Sequence, residues 1–492
     1  MYYIGIDLGT SALKLLLVDA GGTVLSTVTK EYPLSFPHPG WSEQDPEDWW
    51  RAVCSGVPEL LRGFDANKVA GIGAGGQMHG LVALDKDGAV IRPAILWNDG
   101  RTAEQVDYLN ETVGRDKLTK YTANIAFAGF TAPKLLWLRE NEPENFARIE
   151  KIMLPKDYVN FKLTGVHSCD YSDASGMLLL DVEHKRWSPE MLGICGVRAQ
   201  QMPRLFESYE PVGTLLPAVA EQLGLSPRVT VCAGAGDNAA AAVGTGVVGE
   251  GGCNISLGTS GTVFISSAHF SAQPGNALHN FAHADGGYHL MGCMLSAASC
   301  NKWFLEEILH TGDYAAEQAA IAEERLGHNR VFFLPYLMGE RSPINDTDAR
   351  ALFIGMSMDT TRADMVLSVY EGVAFAIRDS VEAARALGID IPRSMICGGG
   401  SRSALWTKIM ANVLGIPLDM PETEQGPGYG GAMLAMVACG EYKSVAEAAR
   451  RLVHVRSTVM PDAALSALYD ARYRQFREIY PACRQLFKTL AR

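Results

Sequence analysis

The sequence predicts an α/β protein of two lobes, each a mixed sheet flanked by helices, with its functional site in the cleft between them. Three observations lead there. The chain has 492 residues, more than one hydrophobic core holds, so two or three domains are expected. Strand-like and helix-like stretches alternate along it, the pattern of layered α/β folds. Finally, IDLGTS at 6–11 returns as ISLGTSGT at 255–262, about half the chain later and again between two strand-like runs, which reads as duplication.

The elements follow in order. Residues 2–30 read as a three-stranded meander, YYIGI, ALKLLLV and TVLSTVTK, the last two joined by Asp19-Ala20-Gly21-Gly22. A helix is expected over 46–62. Asp45 is its cap, Pro46 lies in its first turn, Glu47 and Asp48 favour its N-terminus and Gly63 ends it. Trp50, Val53, Val57, Leu60 and Leu61 form its buried face. VAGIGAGG at 69–76 is a strand. Its glycines read as tight packing, because no acidic residue lies downstream where a dinucleotide fingerprint needs one. The lobe boundary is expected near 245–252, giving lobes of 1–247 and 248–492. Helical patterns follow at 294–310, 361–386 and 403–414. A last amphipathic helix near 464–488 carries Leu468, Phe476, Ile479 and Phe487, and is expected to pack on the second lobe.

Composition narrows the function. The chain is 47% hydrophobic and 20% charged, ordinary for a globular protein, and its net charge of −12 includes no basic block. Nucleic acid and anionic membrane surfaces are therefore not expected partners. No apolar run reaches the roughly 18 residues that span a bilayer. The chain enters a strand directly after Met1, without a signal peptide, and its ten cysteines are scattered with no Cys-x-x-Cys pair. A reducing compartment, the cytoplasm, is expected.

The repeated hairpins carry the first chemical signal. Gly-Thr-Ser turns offer backbone N–H and hydroxyl donors, and two of them facing a cleft suit a row of phosphates. The copies differ where Asp7 in the first is Ser256 in the second. A carboxylate beside phosphates is repulsive unless a cation lies between, so Asp7 points to Mg²⁺. No Gly-x-x-x-x-Gly-Lys-Ser/Thr loop occurs, so the cradle is of another kind. Asp237 follows an apolar strand and opens an alanine-rich stretch, as an N-cap or as a general base. His79 is a structural hydrogen-bonder or a ligand residue, and Asp99 with Arg101 is an ion pair or part of a pocket that Trp97 and Asn98 also line or brace. Gly398-Gly399-Gly400-Ser401-Arg402-Ser403 is a strand–helix junction that admits close approach of a flat or anionic group.

Eleven segments in order carry a resemblance: WSEQDPEDWW (41–50), GQMHG (76–80), ILWNDGRT (95–102), GFTAPKLLWL (129–138), LPKDY (154–158), SDASG (172–176), GDNAAAAVGTG (236–246), SLGTSGTVF (256–264), LSAASC (295–300), FLPYLMGERSP (333–343) and ICGGGSRSALW (396–406). Over residues 2 to about 440 the chain resembles the FGGY carbohydrate kinases, which share a two-lobed, ribonuclease H-like fold with actin and hexokinase, and within them it is most similar to the xylulokinase branch.

The resemblance implies transfer of phosphate from ATP, with Mg²⁺, to the terminal 5-hydroxyl of D-xylulose. It implies Asp237 as the general base, and Met78, His79 and Asn238 as sugar contacts. Thr10, Ser11 and Lys14 of the first hairpin, Gly258 and Thr259 of the second, and Gly399 and Ser403 of the glycine turn are implied as nucleotide contacts. Asp7 is the implied metal residue. A kinase of another ketose or polyol such as ribulose, or an actin- or chaperone-like ATP-gated interaction protein, is the alternative. The expected partners are a small sugar and ATP; the oligomeric state stays open, a homodimer included. Two segments are set apart. Glu340-Arg341 is read as a brace. Gly426-Pro427-Gly428-Tyr429-Gly430-Gly431-Ala432 departs from the xylulokinase pattern at Tyr429, on what is expected to be the adenine side.

Overall fold

The computed structural model describes residues 1–271, 278–422 and 425–490. The expected meander is present as β1 (Tyr2–Leu8), β2 (Ala12–Asp19) and β3 (Val24–Glu31). With β4 (Val69–Gly76), β5 (Pro211–Thr214), β6 (Thr230–Cys232) and the short β7 (Ala235–Gly236) it forms one mixed sheet. β1 pairs antiparallel with β2 and parallel with β4, and both β6 and β7 run parallel to β4. Alternation along β1 sorts the faces. Ile4, Ile6 and Leu8 join the core under helix α1 (Pro46–Leu60), which begins as expected with Asp45 accepting the Glu47 N–H at 3.0 Å. Tyr3, Gly5 and Asp7 face the other way. Three further helices bear on the site: α2 (Pro155–Thr164), α3 (Tyr171–Ser175) and α4 (Asp237–Gly244).

A second sheet repeats the first. β8 (Cys253–Leu257), β9 (Gly261–Ser267), β10 (His279–Ala282) and β11 (Tyr288–Met294) form the antiparallel part, and β12 (Ser394–Cys397) and β13 (Leu418–Pro421) run parallel beyond β8. β14 (Val455–Val459) closes the edge. The order β11-β9-β8-β12-β13 matches β3-β2-β1-β4-β6 in sequence of pairing and direction, so the repeated hairpin marks a repeated sheet. The second hairpin is one residue tighter: Leu8 pairs with Leu13, but Leu257 pairs with Gly261.

Around the second sheet lie α5 (Ala298–Trp303), α6 (Arg362–Arg385), α7 (Ala404–Leu414) and α9 (Ala463–Leu490), while α8 (Gly426–Ala438) packs elsewhere. Thr361 and Asp364 cap α6 reciprocally. α9 packs on the second core through Phe476 and Phe487, while Leu468 is 37% exposed. The helix expected from 294 starts later, because Met294 is held in the sheet opposite Gly261 and the Ala297 and Ala298 N–H groups bind the carbonyls of Thr259 and Gly258. No helix among the described residues is long and apolar enough to cross a membrane.

α8 belongs by sequence to the second half but lies on the first sheet. A Cβ on Gly5 would sit 1.9 Å from the Gly428 oxygen, one on Gly73 2.1 Å from the Gly431 oxygen, and one on Gly430 1.8 Å from the Ala240 oxygen of α4. The glycines of GIGAGG are therefore packing residues, as the sequence suggests. This placement corrects the expectation for Tyr429. It is buried with Tyr3, Leu16 and Leu452, its hydroxyl donating to the Gly22 carbonyl at 3.0 Å, and it does not border the cavity at Gly399 and Ser403 described below. Gly73→Ala should lower the melting temperature sharply or abolish soluble expression, an overpacking cost of about 1–3 kcal/mol or more. Gly193→Ala, at an exposed position in open space within the helix Pro189–Cys195, should be neutral or slightly stabilising when measured in parallel.

Candidate active site

The carboxyl ends of β1, β4 and β7 meet in register. Asp7 lies beside Gly75, Gly76 beside Gly236, and the chain leaves them as Gln77-Met78-His79 and as Asp237-Asn238. Parallel strands commonly present ligands at this end. Asp237 is the first residue of α4 with Gly236 at the cap position, so it is not an N-cap. Its Oδ1 accepts from its neighbour Asn238, at 2.7 Å from the backbone N–H and 3.1 Å from Nδ2. Asn238 Nδ2 also points at the Met78 sulfur, 3.9 Å away. Burial pushes the Asp237 carboxyl up to about 7; the Asn238 N–H opposes the rise and the nearby Asp7 carboxylate adds to it. At neutral pH it is poised to accept a proton.

His79 has a left-handed backbone, φ 70°, uncommon for a residue with a side chain. Its carbonyl accepts from Thr131 Oγ1 and Lys134 Nζ, both at 3.0 Å, and its ring packs 4.8 Å from Phe130. Nδ1 lies 2.7 Å from the Gly176 carbonyl, which can only accept, so Nδ1 carries the proton and Nε2 is left as an acceptor. Burial, aided by the Lys134 ammonium, lowers the imidazole to about 3 and keeps it neutral. Burial likewise lowers Lys134 to about 7. Phe281 of β10 stands 6.5 Å from the His79 ring, so the second sheet also borders this pocket.

Asp7 faces α8: a Cβ on Gly426 would lie 3.7 Å from its Oδ2. Burial raises its carboxyl to about 6 against the pull of Lys14, its cross-strand partner. Lys14 Nζ donates to Gln425 Oε1 at 3.1 Å. In the first hairpin the Gly9 carbonyl accepts from Tyr32 at 2.5 Å and the Thr10 carbonyl from Gln44 at 2.7 Å. In the second, the Thr259 carbonyl accepts from Ser299 Oγ at 2.7 Å. In both turns the carbonyls named are engaged by side chains of other segments. Ser256, opposite Thr262, points to the same face as Asn254 and Phe264, a cross-strand pair whose Phe264 packs on Ala242 of α4.

A cavity of about 980 Å³ opens beside the second hairpin, lined by Gly258, Thr259, Tyr314, Gln318, Gly399 and Ser403 among others. Four sequence-predicted residues thus share one wall. The three glycines differ in duty. Gly398 has φ 88°, a Cβ on Gly400 would meet Leu257 at 2.9 Å, and Gly399 faces open space. Ser403 caps α7, accepting the Trp406 N–H and donating to Gln318 Oε1 at 2.6 Å. Thr10, Ser11 and Lys14 do not line this cavity.

Other sequence-singled residues are braces. Arg101 pairs with Asp99 at 2.7 Å and Glu43 at 2.7 Å and stacks 3.7 Å over Trp41, which makes the Asp99–Arg101 pair structural. Asn98 is exposed, and the exposed Trp97 donates its indole N–H to Thr10 Oγ1 at 2.9 Å. Glu340 accepts from the Leu295 and Arg341 N–H groups, and Arg341 lies 5.9 Å over Phe127, so this turn does span the two halves.

Sequence reasoning gave no role to the charges behind Asp237. Lys156, wholly buried, has Asp157 at 2.7 Å, Asp170 at 3.1 Å and Asp173 at 3.8 Å. Burial lowers its proton affinity, but the three carboxylates together hold it well above the ordinary lysine range. LPKDY and SDASG contain part of this cluster, but nothing in their spacing places it on one helix face.

A carboxyl raised from its ordinary range costs stability once it ionises. Its penalty is absent below about pH 4, grows as pH rises toward the folded value near 7 and is complete above it. Asp237→Asn should therefore be more stable than the parent at pH 7.5 by about 1–3 kcal/mol and melt at a higher temperature, with the gain fading by pH 4–5 in a pH series of thermal scans.

The chain matches the N-terminal domain model of the FGGY family of carbohydrate kinases over residues 2–244 and the C-terminal domain model over 253–439. It is 41% identical over 480 residues to the xylulose kinase of Escherichia coli K12, covering 97% of this chain and 98% of that protein. It is 36% identical to the xylulose kinase of Bacillus subtilis, covering 99% and 98%. The crystal structure of a xyloylose kinase from Brucella ovis superposes with TM-score 0.93 at 39% identity, covering 99% of this chain and all of that one. A glycerol kinase from Plasmodium falciparum, 20% identical over 97% of each chain, shares the fold with TM-score 0.88. With both domain models matched in order over most of its length, the chain belongs to the FGGY family of carbohydrate kinases.

Proposed function

We propose that the protein transfers the γ-phosphoryl group of ATP to the 5-hydroxyl of D-xylulose. The observation that carries this reading is the convergence of Asp237, Asn238, Met78 and His79 at the strand ends, with the Asp237 carboxyl raised by burial to about 7. Relatives named for xylulose supply the sugar.

In this reading the neutral His79 offers Nε2 to a sugar hydroxyl, and the Asn238 amide and Met78 complete the wall. A buried polyol needs each hydroxyl paired, so such groups discriminate strongly among sugars. Asp237 accepts the proton of the 5-hydroxyl as its oxygen attacks the γ-phosphorus. The bond to the bridging oxygen breaks and ADP departs. The proton leaves Asp237 for solvent before the next turnover. Thr10, Ser11, Lys14, Gly258 and Thr259 hold the phosphates, and the cavity at Gly399 and Ser403 takes the adenosine.

Asp7 fits Mg²⁺. Among the described residues its carboxylate has no side-chain hydrogen bond or ion pair, and no cluster of three ligand residues exists. This suits a cation that keeps water and takes one or two carboxylates plus phosphate oxygens. When bound, Mg²⁺ neutralises charge on the transferring phosphates. The ten cysteines are free thiols, which supports the reducing cytoplasm as the place of work.

In an ADP-release screen D-xylulose should give the highest kcat/KM; a tenfold or greater preference for ribulose or glycerol would keep the family and replace the substrate. Asp237→Ala should lower kcat by roughly 10²–10⁴ with nucleotide affinity little changed. For the parent, kcat/KM should fall about tenfold per unit below pH 7, because the carboxylate is then protonated.

The unequal hairpins give a separate test. Asp7→Ala should cut kcat severely and raise the Mg²⁺ concentration for half-maximal rate. Ser256→Ala should cost only one hydrogen bond, about 0.5–3 kcal/mol. Equal losses with unchanged Mg²⁺ dependence would assign Asp7 to the fold.

A further inference from the structure

The segment Ser172-Asp173-Ala174-Ser175-Gly176 has no part in the chemistry above, yet it touches the turn before Asp237, the His79 ring and the second sheet. Ser172 Oγ accepts the Gly236 N–H at 3.1 Å and donates to Asp170 Oδ2 at 2.5 Å. Asp170 Oδ1 lies 3.1 Å from Lys156 Nζ, and Lys156 donates to the Ala233 carbonyl at 3.2 Å. Gly236 caps α4, whose first residue is Asp237. Farther along, Ser175 Oγ accepts the Ala282 N–H of β10 at 2.9 Å, and the Gly176 carbonyl holds His79 Nδ1 at 2.7 Å. A Cβ on Gly176 would lie 2.4 Å from the His79 ring.

Lys156, Asp170, Ser172 and Asp173 are fully buried. One ammonium among three carboxylates is a poor way to gain stability, since well-packed apolar residues usually serve as well or better. What an apolar core does not supply is directed hydrogen bonding, and here it is delivered to the turn that carries Asp237: Lys156 holds the Ala233 carbonyl and Ser172 the Gly236 N–H.

We propose that Ser172 is a positioning residue for phosphoryl transfer: its hydroxyl, fixed by Asp170 and Lys156, holds the Gly236 N–H and so sets where α4 presents the Asp237 carboxylate. This rests on Asp237 being the base. Through Gly176 and Ser175 the same rigid segment also fixes the His79 imidazole and docks on the second sheet.

The test uses the full chain with ATP and D-xylulose. Ser172→Ala should lower kcat about 10- to 100-fold, the scale of a misplaced reacting group, while sugar and ADP affinities measured by calorimetry stay within about twofold. Combined with Asp237→Ala it should be no slower than Asp237→Ala alone, because one residue acts through the other. Ser208→Ala, which removes a 2.8 Å bond to the same Asp170 oxygen without reaching Gly236, should leave kcat within about twofold.

A Ser172→Ala kcat near the parent's, a multiplicative loss in the double variant, or an equal loss in Ser208→Ala overturns the proposal. Should Ser172→Ala not fold, Asp170→Asn keeps the shape while weakening the hold on the Ser172 hydroxyl; an unchanged kcat there overturns it too. An Asp237→Ala variant keeping about a third or more of kcat removes the base assignment, and this proposal with it. A slow Asp237→Ala beside a fast Ser172→Ala removes this proposal alone.

Discussion

The arrangement depends on a contact of backbone against backbone. α8 lies so close to β1 and β4 that Gly428 and Gly431 carbonyls occupy the places where side chains on Gly5 and Gly73 would start. The crossing of α8 with α4 at Gly430 and Ala240 is equally tight. Close-packed interiors transmit strain rather than absorb it, so this seam fixes α4 and α8 to one sheet end. Asp237 then begins one helix and Gly426 the other, with Asp7 beside both.

The charges divide by how they are partnered. Arg101, Asp99 and Glu43 satisfy one another and hold the loop that supports the first hairpin. Lys156 and its three carboxylates form a closed group behind the site. Asp7 and Asp237 have no cation within salt-bridge distance among the described residues, and burial raises both. Leaving two half-buried carboxyls unpaired lowers stability; such sites persist where activity requires them.

Much of this was legible in the sequence because it was local. The Gly-Thr-Ser hairpins, the Asp45 cap, the strand of 69–76 and the glycine turn at 398–400 each announce themselves by period or turn chemistry. What failed was long-range. Glycines in 426–431 signal close approach but not to which sheet, so the sequence puts Tyr429 on the expected adenine side, whereas its hydroxyl binds the Gly22 carbonyl under the first sheet. Met294 has helical neighbours in sequence, yet its pairing with Gly261 keeps it a strand. The acids at 157, 170 and 173 share no helix face, and only burial around Lys156 gives them a common purpose.

The glycine seam also has a consequence for synthesis. β1 is made first, and the helix that covers its Gly5 face ends at Ala438. At about 5–20 residues per second the ribosome needs roughly 20–90 s to make the intervening chain. During that interval the first sheet can pair its strands and cover its α1 face, but on the other face the glycine strip and the apolar Tyr3, Leu16 and Val18 lack the cover of α8 and have only α4 beside them. A first half made without α8 therefore keeps an uncovered apolar strip along its sheet, so the two halves of the sequence are coupled in folding and the first is not built to stand alone.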